Sequence, residues 1–190
     1  MYFGKRAVDV MLSFLAIIIF LLPMVIVAIL IKCDSKGPII FKQQRIGKNK
    51  EPFNIYKFRT MRMGTPNVST ESLGDPSQYI TRLGMFLRRS SLDELPQLFN
   101  ILKGNMSIVG PRPALYNQYE LIGMRDAHGV NKVPPGLTGY AQIKGRDFIS
   151  DEGKVQYDCY YVENMSFWFD FRIIVWTIKS VLKADGVKIK

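Results

Sequence analysis

The sequence contains too few cysteine and histidine residues for a disulfide framework or a zinc centre. Among its 190 residues there are two cysteines and one histidine. Cys33 and Cys159 lie far apart and form no CxxC motif, and no neighbour in the sequence would orient His128 as a catalytic base. A P-loop and a GxGxxG turn are also missing, so any nucleotide must be held in another way. We therefore expect a protein that faces a reducing cytosol.

Acidic residues are scarce relative to basic ones. There are 16 Asp and Glu against 26 Lys and Arg, which gives a formal net charge of +10. Such an excess predicts a polyanionic partner, which could be nucleic acid, an anionic lipid surface or a phosphorylated substrate. The chain has no standard nucleic-acid-binding motif, and nucleic-acid binding would not explain the long apolar segment at residues 10–31. We therefore expect no nucleic-acid partner.

Residues 10–31 form an apolar run that Ser13 and Pro23 alone interrupt and that holds no charged residue. At about 1.5 Å per residue, a helix of this length spans roughly 30 Å, enough to cross the hydrocarbon core of a bilayer. The run is longer than the apolar core of a signal peptide, and no small-residue cleavage site follows it. We expect it to remain as a membrane segment.

Basic residues flank both ends of this run. Lys5 and Arg6 precede it, and the basic residues that follow it are Lys32, Lys36, Lys42 and Arg45. The positive-inside rule then places both ends on the cytoplasmic side, which a straight span cannot satisfy. Because Pro23 removes a backbone hydrogen bond, we expect the helix to break there. We predict a re-entrant membrane helix over residues 1–32 and a cytosolic catalytic domain at the membrane interface over residues 33–190.

The chain after the membrane segment predicts an α+β domain that is mostly helical. Residues 38–44 and 53–58 have the pattern of two strands, and the turn residues between them predict a small β-hairpin. Residues 82–89 and 92–102 have helical patterns, and the second ends at Gly104.

An aromatic segment follows near the C-terminus. Residues 157–182 interleave tyrosine, phenylalanine and tryptophan with charged side chains. Aromatic rings beside charges are typical of an interfacial amphipathic helix. An ordinary amphipathic core helix explains the segment equally well. The apolar run at residues 10–31 favours the interpretation of this segment as one that contacts the membrane.

Two adjacent carboxylates, Asp93 and Glu94, are the strongest candidates for chemistry. Ser91 and Glu94 match a capping box, so both acids could simply cap a helix. Pro96 would disturb such a helix just beyond its first turn, which favours an irregular start. In phosphate chemistry, one carboxylate could attack while the other holds a divalent cation. Spacing alone leaves both interpretations open.

Other segments could bind anions. Lys57 and Arg59 lie two residues apart in a strand pattern and so project to one face. Arg112 stands between two prolines that could fix its backbone, although a structural turn explains them equally well. Residues 134–146 mix proline and glycine with polar side chains, which is typical of a loop that folds closely around a ligand.

The sequence resembles the bacterial sugar transferases, the monotopic phosphoglycosyl transferases, over nearly its whole length. Four segments in the same order carry the resemblance: KFRTM at 57–61, SLDELPQLFN at 91–100, GPRP at 110–113 and the loop at 135–146. The length resembles the minimal form of the family, with one re-entrant helix and one catalytic domain. Leu22 stands where a serine often precedes the helix-breaking proline, and Asn105 stands where relatives commonly have an acid. We therefore expect no metal-binding role for Asn105.

The resemblance implies an enzyme on the cytoplasmic face of the bacterial inner membrane. It would transfer a phospho-sugar from a UDP-sugar to a polyprenol phosphate such as undecaprenyl phosphate and release UMP, as the first membrane step of glycoconjugate synthesis. Asp93 would form a covalent aspartyl phospho-sugar, and Glu94 would help to bind Mg²⁺. The implied contacts to phosphates and uridine are Lys57, Arg59, Arg88, Arg112, Gln142 and Arg146.

The membrane segments would contact anionic lipids and bring the water-soluble donor and the lipid acceptor together. A noncatalytic basic membrane-associated scaffold is the alternative, in which the two acids only cap a helix. The sequence identifies neither the sugar nor the oligomeric state.

Overall fold

The structure, a computed structural model, describes residues 2–66, 75–145 and 149–182. It is mostly helical, with two small two-stranded sheets in these ranges, which agrees with the predicted α+β class. The elements in chain order are α1 (Lys5–Asp34), β1 (Ile40–Ile46), β2 (Pro52–Phe58), α2 (Arg82–Arg89), α3 (Gln97–Lys103), β3 (Ser107–Val109), α4 (Tyr119–Ala127), β4 (Gly136–Thr138), α5 (Tyr140–Gly145), α6 (Asp151–Glu163) and α7 (Phe167–Leu182).

Helix α1 is the one helix in the described ranges that is long and apolar enough to cross a membrane. Its backbone stays helical through Pro23, so residues 5–34 form one helix rather than two, and a bend at Pro23 stays a prediction. A proline removes a single backbone hydrogen bond, and helical turns continue on both sides of it. The buried residues recur along one side of the helix: Lys5, Asp9, Ser13, Met24, Val27 and Ile31. Most other apolar side chains of α1 are exposed.

Strands β1 and β2 form the predicted hairpin. They pair antiparallel, with Ile40 opposite Phe58 and Ile46 opposite Pro52. Ile55 packs in one apolar cluster with residues of α3, whereas Phe58 packs in another with residues of α1 and α2. Because the hairpin is covered in this way, the end of β2 is held firmly against the helices that surround the site.

The two helices predicted around the acidic pair are confirmed in part. Helix α2 has the predicted bounds, and the Thr81 hydroxyl caps it by accepting from the Gly84 amide at 2.9 Å. The second helix begins later than predicted, because Leu92–Glu94 form a 3-10 turn and α3 starts at Gln97. Pro96 occupies the N-cap of α3, in agreement with the predicted irregular start, and Gly104 ends that helix with a φ of 90°.

The parallel pair β3 and β4 was not predicted. Ser107 pairs with Gly136 and Val109 with Thr138. A Cβ on Gly136 would lie 2.2 Å from the amide nitrogen of Gly110, so the two segments approach more closely than any side chain permits. Helix α5 follows directly, and the predicted loop over 135–146 is therefore largely regular structure in its described part.

The aromatic segment is divided between two helices. Helix α6 ends at Glu163 and α7 begins at Phe167, so residues 157–182 do not form one helix. Tyr161 and Ile173 are fully buried, whereas Trp168 is mostly exposed. The segment thus supplies both core residues and exposed aromatic side chains, and it combines features of the two predicted alternatives.

Replacing Gly84 by alanine tests how tightly α2 packs. The new Cβ would lie 2.0 Å from the carbonyl oxygen of Thr60, and backbone cannot move aside as a side chain can. We expect Gly84→Ala to destabilise the protein by about 1–3 kcal/mol, as measured by denaturant unfolding in detergent. Gly123→Ala in α4 is the control, since nothing lies within 4 Å of its Cβ position. The control should stabilise by about 0.5–1 kcal/mol, and equal effects of both changes would contradict the packing.

Candidate active site

A large open cavity of about 1170 Å³ lies among the hairpin, the 3-10 turn and helix α7. Asp93 and Glu94 are in its wall. The predicted binding residues that also line it are Lys57, Arg59, Arg88, Arg112 and Gln142. Arg146 lies outside the described residues. The fold therefore gathers almost all of the predicted residues around one space.

The acidic pair stands on a strained turn. Ser91 has a φ of 57°, a left-handed conformation that costs about 1–2 kcal/mol in a residue with a side chain. Its hydroxyl makes no capping hydrogen bond, so the capping-box interpretation is wrong. The amide of Glu94 donates instead to the carbonyl oxygen of Ser91 at 3.2 Å. This geometry directs the Glu94 carboxylate to cations of the cavity rather than to the helix end.

Glu94 is held by two cations. Its Oε1 atom accepts hydrogen bonds from the Lys57 ammonium at 2.7 Å and from the Arg112 guanidinium at 2.9 Å. Burial acts to raise the pKa of Glu94, but the charges and hydrogen bonds of Arg112 and Lys57 outweigh it and lower the pKa. The carboxylate is therefore ionised, and it fixes the positions of both cations.

Asp93 has a different environment. Its side chain is 7% exposed, and burial raises its pKa to about 6, with a further increase from the Glu94 charge. The nearby cations, Lys57 first among them, oppose this shift. At neutral pH the group is ionised but poorly hydrated, which suits a nucleophile. The two adjacent acids thus have pKa values shifted in opposite directions by their surroundings.

The remaining predicted residues contribute polar atoms to the wall. Arg88 donates from Nε to the Thr60 hydroxyl at 3.0 Å. Arg59 donates from Nη2 to the carbonyl oxygen of Ser35 at 2.7 Å, just beyond the end of α1. Its buried Nε and Nη1 atoms have no partner within the described chain, and the same holds for the Gln142 Oε1 atom. Arg59 thus connects the end of helix α1 to the cavity.

Five further cations of the wall were missed as site residues, and two of them, Arg45 and Arg125, donate to the loop that carries Arg112. Arg45 follows Gln43 by two positions on β1 and donates to its Oε1 atom at 2.7 Å. Burial lowers the pKa of Arg45 to about 9, and the Arg112 charge adds to this shift. Arg125 of α4 is the second. Strand alternation could have indicated Arg45, which the sequence marks only as a membrane-flanking charge, but nothing in the sequence singles out Arg125.

The donor set of the site suits a hard cation. The described residues contain no group of three or more His, Cys, Asp and Glu side chains that could hold a metal. Magnesium commonly binds through one or two carboxylates together with phosphate oxygens of a substrate, so a larger group is not required. Asp93 and Glu94 provide such carboxylates in the cavity wall. The residues present therefore fit Mg²⁺ held jointly with a diphosphate.

Neutralising Asp93 should stabilise the fold at neutral pH. Because the folded state raises its pKa, the folded protein binds the proton more tightly, and the charged form costs stability above about pH 6. We expect Asp93→Asn to be more stable than wild type by about 1–3 kcal/mol at pH 7.5, as measured by thermal unfolding in detergent. The difference should shrink as the pH falls from 6 to 4.

Asp126→Asn is the control for that change. Asp126 is exposed, and the hydrogen bond from Lys50 lowers its pKa, so its neutralisation should not stabilise the protein. A loss of stability in Asp93→Asn at pH 7.5 would contradict the assigned environment of Asp93.

Comparison with known proteins places this site in a family. The family described as bacterial sugar transferase matches residues 1–184. A UDP-N-acetylgalactosamine-undecaprenyl-phosphate N-acetylgalactosaminephosphotransferase of Aeromonas hydrophila is 36% identical, with 98% of this chain and 45% of the relative covered. A UDP-glucose:undecaprenyl-phosphate glucose-1-phosphate transferase of Escherichia coli (strain K12) is 41% identical, with 92% of this chain and 39% of the relative covered.

A shorter relative matches along almost its whole length. The exopolysaccharide production protein PSS of Rhizobium leguminosarum bv. phaseoli is 41% identical, with 94% of each chain covered. The chain spans less than half the length of the two longer relatives. The match nevertheless includes helix α1, the hairpin and the 3-10 turn that carries Asp93 and Glu94. The chain therefore belongs to the bacterial sugar transferase family.

Proposed function

We propose that the protein transfers a phospho-sugar from a UDP-sugar to a polyprenol phosphate such as undecaprenyl phosphate, with release of UMP. The observation that carries this proposal is the adjacent pair of buried Asp93 and partly buried Glu94 in a cavity whose wall includes nine Lys and Arg side chains. Two of the relatives bear names that specify undecaprenyl-phosphate sugar-phosphate transfer, which supports the same chemistry here.

The first step is attack by Asp93. A carboxylate oxygen of Asp93 forms a bond to the sugar-bearing phosphorus of the UDP-sugar, and the bond from that phosphorus to the bridging oxygen breaks. The bridging oxygen leaves with UMP and its electron pair. Arg88 and Arg112 lie close enough for their charges to act on Asp93, and they can stabilise the charge that develops on the phosphate oxygens.

The second step returns Asp93 to its free state. An oxygen of the lipid phosphate attacks the same phosphorus, the bond to Asp93 breaks, and a polyprenyl diphosphate sugar leaves. Donor and acceptor need not be bound together, which suits substrates that come from water and from a membrane. Lys57 and Arg112 hold Glu94 beside the nucleophile throughout.

Magnesium would be held by Glu94 together with the diphosphate oxygens. When bound, the ion neutralises charge that develops on the phosphates during transfer. The lowered pKa of Glu94 keeps this oxygen donor ionised at neutral pH.

One side of the cavity suits the lipid. Helix α7 contributes Ile174, Ile178 and Val181 to the wall, and the hairpin contributes Phe41 and Ile40. These apolar side chains line the same cavity as the cations, so a phosphate on an isoprenoid chain finds both charge and apolar surface. Exposed aromatic residues on α7, such as Trp168 and Phe171, are suited to contact anionic membrane lipids.

We also propose that α1 enters the membrane without crossing it. Near its N-terminus, Lys5 bonds to Asp170 and Asp9 accepts from the Ser107 hydroxyl at 2.8 Å. Just beyond its C-terminus, Ser35 accepts from Arg59. A spanning helix has its two ends on opposite sides of the bilayer, so one polar domain could not contact both. These contacts support a position at the cytoplasmic face of the inner membrane, where the basic flanks are favoured.

The proposed activity predicts Mg²⁺-dependent release of UMP from a UDP-sugar when polyprenol phosphate is present. A panel of UDP-sugars in this assay would identify the donor. Glu94→Gln removes the charge that holds Lys57, Arg112 and the metal, so we expect its turnover to fall at least about tenfold while the protein stays folded.

Glu120→Gln, on the exposed start of α4, is the matched control and should keep wild-type turnover. Full turnover in excess EDTA would exclude the metal requirement. Absence of UMP release with every donor would favour the noncatalytic scaffold.

The topology predicts that both ends of α1 are protected from a membrane-impermeant thiol reagent in intact spheroplasts. The first protein carries Cys159→Ser and keeps the exposed Cys33 as its single cysteine. The second combines Phe3→Cys with Cys33→Ser and Cys159→Ser. We expect both to react only after permeabilisation, and labelling of Phe3→Cys from outside would contradict the re-entrant helix.

A further inference from the structure

The loop that carries Arg112 is fastened by an unusual series of hydrogen bonds. Four consecutive carbonyl oxygens, those of residues 111–114, each accept from a different donor. The donors in that order are the Gly136 amide at 2.8 Å, Arg125 Nη1 at 2.8 Å, Arg45 Nη1 at 3.0 Å and the Ile46 amide at 3.0 Å. Because Pro111 and Pro113 have no amide hydrogen, this stretch of backbone is held mainly through its carbonyls.

The donor to the Arg112 carbonyl is part of a buried ion pair. Arg125 on α4 is 5% exposed and Asp158 on α6 is 1% exposed. Arg125 donates to Asp158 Oδ2 from Nη2 at 2.6 Å and from Nε at 3.0 Å, while its Nη1 donates to Arg112. All three kinds of guanidinium nitrogen are thus engaged with the protein.

Such a pair is not explained by stability alone. Burying both charges costs desolvation energy that their attraction barely repays, and apolar residues of similar volume often do as well or better. The fixed fork of an arginine is suited instead to joining two acceptors in one geometry. Here Arg125 joins Asp158 of α6, a helix that does not carry the acidic pair, to the backbone of Arg112 in the cavity wall.

The Arg112 side chain needs such support. It is 42% exposed, so few neighbours restrict its rotamers, and the position of its backbone decides which groups the guanidinium can reach. Its Nη2 nonetheless reaches Glu94 Oε1 at 2.9 Å. A small shift of the Arg112 Cα atom would move the guanidinium away from Glu94 and from the phosphates of a donor.

We propose that Arg125, oriented by Asp158, is a positioning residue that fixes the Arg112 backbone and so directs the Arg112 guanidinium to Glu94 and the donor diphosphate. This inference rests on the proposed function, because its first readout is phospho-sugar transfer. Arg125 acts through Arg112, since its Nε, Nη1 and Nη2 atoms are already engaged with Asp158 and the Arg112 carbonyl.

The test is a thermodynamic cycle between the ion pair and Arg112. The pair is replaced by apolar residues of similar volume, Arg125→Met with Asp158→Leu, which avoids leaving one buried charge alone. We expect kcat/KM for the UDP-sugar to fall about 10- to 100-fold. In an Arg112→Ala background, the same replacement should lower kcat/KM less than about twofold, because the positioned side chain is already missing.

A purely structural pair would give a different result. Equal fold-losses in the two backgrounds, or an unchanged kcat/KM in the wild-type background, would overturn the proposal. Lys50→Gln with Asp126→Asn, which removes an exposed ion pair away from the cavity, is the control and should leave kcat/KM unchanged. Arg125→Lys keeps the charge but not the fork of the guanidinium. It should fold, and its kcat/KM should be lower than that of the wild type.

Thermal unfolding of the same proteins gives a readout that needs no substrate. Arg112→Ala leaves the buried Glu94 carboxylate with one cation fewer, so it should lower Tm. If the pair positions Arg112, the decrease in Tm should be smaller in the Arg125→Met, Asp158→Leu background. An equal decrease would overturn the positioning. A wild-type chain that releases no UMP would refute the proposed function, and the unfolding cycle would still decide this inference.

Discussion

The Glu94 carboxylate, shared by Lys57 and Arg112, is the interaction on which the site depends. One oxygen atom joins three parts of the chain: the end of the hairpin, the 3-10 turn and the loop between β3 and α4. Lys57 and Glu94 are partly buried, so removing either charge would leave the other with less of its charge compensated. Burial raises the pKa of the neighbouring Asp93, and the charges of the same cations oppose that shift only in part.

The position of this interaction follows from how the membrane helix packs. Val27 and Ile31 of α1 lie in one apolar cluster with Phe58 at the end of β2 and Leu87 of α2. The strand that carries Lys57 and the helix that carries Arg88 are therefore packed against α1. The opposite side of α1 exposes apolar residues, as expected of a helix that contacts lipid. The core that holds α1 thus also fixes the geometry of the site.

Local patterns predicted the elements that depend on local chemistry. The hairpin, the bounds of α2, the end of α3 at Gly104 and the irregular start at Pro96 all follow from turn, cap and proline preferences. The strands β3 and β4, with three residues each, are too short for any periodicity to indicate them. Neighbouring sequence also wrongly suggested a capping box at Ser91, because the partners of Glu94 come from Lys57, 37 residues earlier, and Arg112, 18 residues later.

The acids of the candidate site and four of the nine cations in its wall were predicted, and the missing parts have a common cause. Arg125 gains its role from Asp158, which lies 33 residues away on another helix. Arg45 holds the loop that carries Arg112 through a hydrogen bond to the carbonyl of Pro113, 68 residues later. Contacts of this kind are fixed by tertiary packing and leave no pattern along the chain. The resemblance to a family could therefore identify motif residues but not the residues that hold them in place.

The central claim is that Asp93 becomes covalently attached to the phospho-sugar, and intact-mass measurement with donor alone tests it most directly. In the absence of polyprenol phosphate, wild-type protein should gain the mass of one phospho-sugar, and peptide mapping should place it on Asp93. Asp93→Asn should gain no mass, and adding polyprenol phosphate should remove the adduct from wild type. An adduct on another residue, or an Asp93→Asn protein that keeps near-normal turnover, would contradict the account.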